Sequence, residues 1–349
     1  MPEDFSPERV LVLRPRGLGD VVLASAVVGA LRRRYPEARL HFLSEAPSRS
    51  LLETDPRLDR IFLLGRRRGN AGGRISTGDP LAAVAWVRDV RADLVVDLFS
   101  NPFTAIVTAV SGAPYRIGLD KRLRRFAYNV RVPRFRGRPE DDHRYAREVQ
   151  LDFLRASGIA WQGECRAQVF LTDADHAAAR EFLRVAGTSE GGFGVVLPGG
   201  SWESKRWSVG GFVEAGRALA GRFDTPTVVA WGPPERDDAE AIARQLGSAG
   251  LLAPPSTLRE MAALLGRAGA LVSTDCVGRH LAIVQGVPTV GVFGSTDPRD
   301  WTPPDGSHRA VAAPKTTRSL RDLPAAPVIR EIHALFAEIP GLDATRDAL

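Results

Sequence analysis

Four short turns gather the residue types that anion binding and proton transfer require. The first is Gly17-Leu18-Gly19-Asp20, set between an apolar run and a helical pattern. Glycines there let the backbone pass close to a ligand, and the free N–H groups of a helix start attract anions. Asp20 is equally suited to a plain N-cap. The second turn is Pro198-Gly199-Gly200-Ser201-Trp202-Glu203-Ser204-Lys205-Arg206-Trp207. Its small residues and hydroxyls can donate to diphosphate oxygens, while Lys205 and Arg206 offset the charge of a leaving diphosphate. A solvent loop whose tryptophans pack on the core is the plainer reading. The third, Trp231-Gly232-Pro233-Pro234-Glu235-Arg236-Asp237-Asp238, offers Glu235 to ribose hydroxyls, although an acidic helix start explains the same residues. The fourth sets Asp275, Cys276, Gly278, Arg279 and His280 after Ser273-Thr274, with Gly294-Ser295-Thr296-Asp297-Pro298 beyond. A lone helical histidine is usually packed in a core. Cys276 has no evident partner that would make it a nucleophile, so a small buried thiol is its default.

Two common phosphate signatures are absent. Gly17-Leu18-Gly19 is followed three residues later by Val22 where a dinucleotide fingerprint needs glycine. The second turn lacks the glycine and Lys-Ser/Thr spacing of a P-loop.

Apolar runs alternating with helical patterns must position these turns. Val10–Leu13, Leu40–Leu43, Ile61–Leu64 and Leu94–Leu98 predict buried parallel strands. Leu23, Val27, Ala30 and Leu31 recur at helical spacing until Pro36, and further helices are expected at Leu81–Val90 and His143–Ser157. Gly65–Gly78 reads as a surface loop. The pattern loosens between Gly158 and Gly192, where the domain junction is expected. A second series predicts strands at Gly194–Leu197, Thr227–Trp231, Ala270–Ser273 and Thr289–Phe293. Its helices are expected at Val209–Leu219, Asp237–Leu246, Thr257–Leu265 with a Thr257/Glu260 capping box, Arg279–Gln285 and Val328–Phe336. The expected class is α/β, with two Rossmann-like domains facing each other across a cleft. Their boundaries are 1–160 and 161–326, followed by a C-terminal helix and tail, 327–349.

Composition narrows the function classes. A hydrophobic fraction of 44% and a charged fraction of 25% are those of a globular protein. No apolar run approaches the roughly 20 residues of a membrane span, and the acidic start MPEDFSPERV lacks a signal-peptide profile. Cys165 and Cys276 form no metal-like spacing. A cytoplasmic location is expected. The net charge is +6, with dense stretches at Arg66-Arg67-Arg68 and from Arg116 to Arg138. Charge of this kind is either a solvated face or an attraction to a polyanion, whether nucleic acid or an anionic membrane. No aromatic-interleaved basic motif supports nucleic acid.

Taken together, the motifs resemble glycosyltransferase family 9, the ADP-heptose:lipopolysaccharide heptosyltransferases. The resemblance runs from about Val10 to Phe336. It is carried by VLVLRPRGLGDVVLASAVVGALRRRYPEARLHFL, Asp55-Pro56, Tyr115-Arg116-Ile117-Gly118-Leu119 and the Pro198–Trp207 turn. Gly232–Arg236 and the run from Thr274-Asp275 through His280-Leu281-Ala282 to Gly294–Pro298 complete it.

The resemblance implies a GT-B fold and an inverting, metal-independent transfer from a nucleotide-diphosphate sugar, ADP-linked, without a cofactor. In similar enzymes the aspartate at the place of Asp20 is the general base. Lys205 then meets the donor diphosphate, Glu235 the ribose and Asp275 the donor sugar, with Ser201, Arg206, Gly278 and His280 completing the donor site. The first half takes the acceptor, an anionic glycolipid or lipopolysaccharide core, expected at Arg16, Gly19 and Arg116. Peripheral contact with the inner membrane follows from such an acceptor. One motif departs from the family pattern Asp-Ser/Thr-Gly-Leu-x-His. Cys276 replaces the hydroxyl and Val277 the glycine, leaving Arg279 to supply compensating charge. A catalytically silent nucleotide-sugar or glycan-binding relative is the alternative reading.

Overall fold

The computed structural model describes residues 1–2, 4–65, 75–133, 143–200, 202–314 and 319–338. Ser201, Arg66-Arg67-Arg68, Arg134, Arg136 and Arg138 lie outside the described residues. The chain forms two compact units, Met1–Phe170 and Leu171–Leu349.

The first unit contains β1 (Arg9–Leu13), α1 (Leu18–Arg34), β2 (Arg39–Glu45), α2 (Arg49–Leu52), β3 (Arg60–Leu64) and β4 (Ile75–Gly78). It continues with α3 (Pro80–Val90), β5 (Leu94–Asp97), α4 (Pro102–Val110), β6 (Tyr115–Leu119), β7 (Val130–Val132) and α5 (Ala146–Arg155). The second begins with α6 (Asp173–Ala186), β8 (Gly194–Leu197), α7 (Val209–Phe223), β9 (Thr227–Val229), α8 (Arg236–Leu246), β10 (Gly250–Leu252) and α9 (Leu258–Leu265). Then come β11 (Ala270–Thr274), α10 (Val277–Val284), β12 (Thr289–Phe293), α11 (Pro298–Trp301), β13 (His308–Ala312) and α12 (Ala325–Glu338).

Each unit is built on one parallel sheet, ordered β4-β3-β2-β1-β5-β6-β7 and β10-β9-β8-β11-β12-β13. Parallel strands covered on both faces read as unbroken apolar runs, which is why Val10 to Leu13 and Val195 to Val196 are fully buried. The first core joins Leu11, Leu43, Phe62, Trp86 and Val95; the second joins Val196, Phe212, Val229, Val272, Val292 and Phe336. α12 packs on α7 and β13.

The strand order decides where chemistry can occur. β1 lies between β2 and β5, and β8 between β9 and β11, so the winding direction reverses at β1/β5 and β8/β11. Connections diverge there, leaving a crevice at the carboxyl ends of the strands. The Gly17–Asp20 turn leaves β1, and the second and fourth turns leave β8 and β11.

The structure corrects the sequence reading at several elements. Ile75–Gly78 is a strand paired with β3, not part of a loop. The loosened stretch before Gly192 holds α6, opened by a capping box of Thr172 and Asp175. Strands β6, β7, β10 and β13 are short or interrupted by polar residues, and α4 is only nine residues long, so none carries a strong period.

Candidate functional site

In the first unit Gly17, not Asp20, is the N-cap of α1, with φ +82°. That left-handed conformation suits glycine, and a Cβ there would sit 2.5 Å from Asp20 Oδ2. Asp20 is thereby free of capping and forms an ion pair instead: Arg14 Nη2 lies 2.6 Å from its Oδ2. Arg14 follows β1, is nearly buried, donates Nη1 to the Leu98 carbonyl at 3.0 Å and covers the Phe99 ring at 5.0 Å. Gln150 of α5 donates to the Asp20 carbonyl at 3.1 Å. Sequence reasoning missed Arg14, whose signal is a cation directly after a buried strand and six residues before an acid. Gly17→Ala is expected to lower stability by about 1–2 kcal/mol through left-handed strain alone, with the crowding of Asp20 added. Urea denaturation checks it, and an unchanged midpoint would show that the turn relaxes freely.

The three residues expected at an acceptor do not share one place. Gly19 lies in the first turn of α1, and exposed Arg16 in the same connection pairs with Glu45 at 2.8 Å. Arg116 lies near the amino end of β6, where its guanidinium donates to the carbonyls of Ala113 and Ala127. These bonds hold it away from the carboxyl edge that carries Asp20.

In the second unit, β8 and β11 are neighbours, and their two turns meet although distant in sequence. Lys205 Nζ lies 2.6 Å from Asp275 Oδ2, and the Thr296 hydroxyl donates to the same oxygen at 2.9 Å. Burial alone would raise the Asp275 pKa, but Lys205, with His280 and Thr296, outweighs it and holds the carboxyl below its ordinary value. Gly200, at φ +146°, permits the turn that places Lys205; a Cβ there would meet the Lys205 carbonyl at 2.9 Å. Trp207 anchors the end of this turn, stacking on Phe212 and donating to the Leu323 carbonyl, whereas Trp202 stays exposed. Arg206 is exposed at the same turn and faces Glu235, whose carboxyl is raised by burial and only partly lowered by Arg206. Buried His280 stacks edge-on against Trp301 and is among the groups that lower the Asp275 pKa.

Two expectations at the fourth turn change. Arg279 does not supply compensating charge there. It is buried, donates to the Trp301 carbonyl at 2.9 Å and to the Thr302 hydroxyl at 3.1 Å, and covers the Phe293 ring. Gly278 is required by packing, since a Cβ would meet Leu197 at 2.4 Å. Its N–H still belongs to the first turn of α10, where Cys276 is the N-cap without a capping side-chain bond. The Cys276 thiol, pushed up to about 11 by burial, lies against Gly199 and stays protonated at neutral pH. Among the described residues no group of three or more His, Cys, Asp or Glu is arranged to hold a metal ion.

The arrangement can therefore bind a nucleoside diphosphate in the second unit: cations and helix N–H groups for phosphate, Glu235 for hydroxyls. The first unit offers a carboxylate at a sheet switch point. Known proteins resemble this chain along most of its length. Lipopolysaccharide heptosyltransferase 3 of Escherichia coli is 24% identical over 295 residues, covering 82% of this chain and 83% of that one. A family 9 glycosyl transferase from Veillonella parvula superposes with a TM-score of 0.77 at 19% identity, over 95% of this chain and 98% of the other. The E. coli ADP-heptose lps heptosyltransferase II gives 0.74 at 19% identity, over 94% and 98%. These superpositions establish the GT-B fold. The model of glycosyltransferase family 9 (heptosyltransferase) matches residues 83–344, and the chain is a member of that glycosyltransferase family.

Proposed function

We propose that the protein transfers a heptose from ADP-heptose to an anionic glycolipid acceptor of the lipopolysaccharide core, with inversion and without a metal ion. The observation that carries this reading is the Lys205–Asp275–Thr296 cluster at the β8/β11 switch point, with Arg206 and Glu235 beside it. Lys205, Arg206 and the N–H groups at the start of α10 bind the diphosphate, supplying the charge that a divalent ion supplies elsewhere. Asp275 orients the Lys205 ammonium and meets the sugar; Glu235 holds the ribose, with His280 and Ser201 completing the donor site. Asp20 takes the proton of the acceptor hydroxyl as that oxygen bonds to the anomeric carbon. The bond from that carbon to the diphosphate breaks, and its electron pair leaves with the phosphate oxygen. Arg14 orients Asp20, and Arg16 and Gly19 line the acceptor side. A cytoplasmic location suits an ADP-linked donor.

Cys276 in the place of a phosphate-binding hydroxyl, with Arg279 turned into the core, favours a second reading: a silent relative that binds the nucleotide sugar without transfer. One experiment separates them. Purified protein is incubated with ADP-heptose and a truncated lipopolysaccharide core, and both ADP release and acceptor mass are followed. Acceptor gaining one heptose, independent of chelator, supports transfer. ADP-heptose raising the thermal midpoint without any product supports the silent relative.

A further inference from the structure

We propose that the amino edge of the first sheet is a second ligand site, which takes a compact oxyanion of the phosphate class. Arg9, Arg39 and Arg60 are the first residues of β1, β2 and β3. Arg9 pairs in register with Arg39, and His41 with Arg60, so all four side chains share one face of the sheet. Further along that face stand Leu11, Leu43 and Phe62, on which α3 packs through Trp86 and Val87. The covered face thus changes from apolar to basic before α3 ends. A cavity of about 430 Å³ opens there, walled by the three arginines and His41 with Asp59 and Asp89. That volume is in the range of small-molecule sites.

The floor of the cavity holds polar atoms that the fold leaves unmet. His41 Nδ1 and Nε2, Arg9 Nε and Trp86 Nε1 are buried without a hydrogen-bond partner among the described residues. His41 is only 3% exposed, and its ring meets Trp86 edge-on. Buried polar groups without partners are rare and costly in folded proteins unless a further group meets them. Burial first, then Arg60 with Arg39 and Arg9, pushes the His41 pKa down to about 4 against the pull of Asp59. The imidazole is therefore neutral at pH 7 and keeps one N–H to donate. Donors outnumber acceptors around it. Asp59 is already met by Arg32 at 3.2 Å and by the Leu40 N–H at 2.8 Å, and Asp89 by Arg60 at 3.0 Å. The exposed Arg39 guanidinium has no hydrogen bond or ion pair among the described residues, and Arg9 reaches only the exposed Glu8, at 3.6 Å. Such a set calls for a ligand rich in acceptors and negatively charged, which a cation or an apolar group is not. The several oxygens of a phosphate group can meet donors from β1, β2 and β3 at once. The Gly17–Asp20 turn leaves the carboxyl end of β1, so this site is at the opposite edge of the sheet from Asp20. The donor groups belong to the second unit, so the site stands independently of the transfer reaction.

NMR of the imidazole nitrogens in the full chain tests it, with inorganic phosphate as the probe at pH 7 and chloride at matched ionic strength as the control. His41→Gln identifies the His41 ring signals by their loss. Those signals are expected to shift saturably with phosphate and not with chloride. Arg39→Ala should weaken the response by about 10-fold or more, the scale of a hydrogen bond to a charged group. Its thermal midpoint should hold, because the side chain is exposed. Lys205→Met, which removes a cation from the second unit, should leave the response within about twofold of wild type, as distant sites act independently. Glucose 6-phosphate separates two sources of the same group. Tighter binding than phosphate assigns the rest of the cavity to an organic substituent; equal or weaker binding assigns the site to the free ion. No saturable shift with phosphate, or one unchanged in Arg39→Ala, would overturn the proposal. A shift that disappears in Lys205→Met would overturn it too, since the anion would then be acting from the second unit.

Discussion

Asp20→Asn is expected to lower turnover by about 100-fold or more while leaving ADP affinity within about twofold of wild type. The expectation follows from how the parts are divided. Asp20 sits after β1 in the first unit, whereas every residue proposed for the diphosphate belongs to the second. Asparagine keeps the size of the side chain and can still accept a hydrogen bond from Arg14, but it cannot take a proton. Asp20→Ala should be equally inactive and also less stable, because it strands the nearly buried Arg14 guanidinium without its anion. Comparing the two separates chemistry from folding. Initial rates with saturating donor and acceptor provide the measurement; turnover of Asp20→Asn near the wild-type value removes Asp20 from the reaction.

Lys205→Met should have the second-largest effect, with two signatures. ADP affinity is expected to fall by about 10-fold or more, as the charge facing the diphosphate is lost, while the methionine stem preserves packing. Stability should fall by about 3 kcal/mol at pH 7, because Asp275 is left buried without its cation. The pH dependence has a definite sign. In the wild type the Asp275 pKa is below its unfolded value, so its stabilisation is present above the unfolded carboxylate range, about 3.9, and is lost as pH falls through the folded value. In the variant, burial acts against His280 and Thr296 without Lys205 and the pKa rises, so neutralisation in acid relieves the penalty. The stability gap should therefore narrow from pH 7 to pH 4. Urea titrations at both values measure it, and a gap that does not change with pH would show that removing Lys205 leaves the ionisation of Asp275 unaltered.

The elements that hold the site are legible in the sequence where burial imposes a simple pattern. Val10–Leu13 and Gly194–Leu197 lie inside parallel sheets, so their apolar runs are continuous. Thr257 and Glu260 announce a helix start because both capping partners are local. The strands of β4, β6 and β13 escape notice because edge or polar-interrupted strands need only partial cover, and their residues obey no strict period. α6 is hidden by the glycines around it, which mark turns as strongly as they mark a junction.

The sequence by itself determined the class, the two strand–helix series and the turns that carry polar groups, because each depends on near neighbours along the chain. Only the tertiary structure decided which of those groups meet. Sheet order joins β8 to β11 and so sets Lys205 on Asp275 across 70 positions of sequence. It also pins Asp20 with Arg14, turns Arg279 into the core and ties Arg116 to backbone carbonyls at the amino edge of the sheet. Arginine and aspartate carry the same charge wherever they stand in a sequence. What that charge does depends on the groups that desolvate and pair it, and those are chosen by strand order.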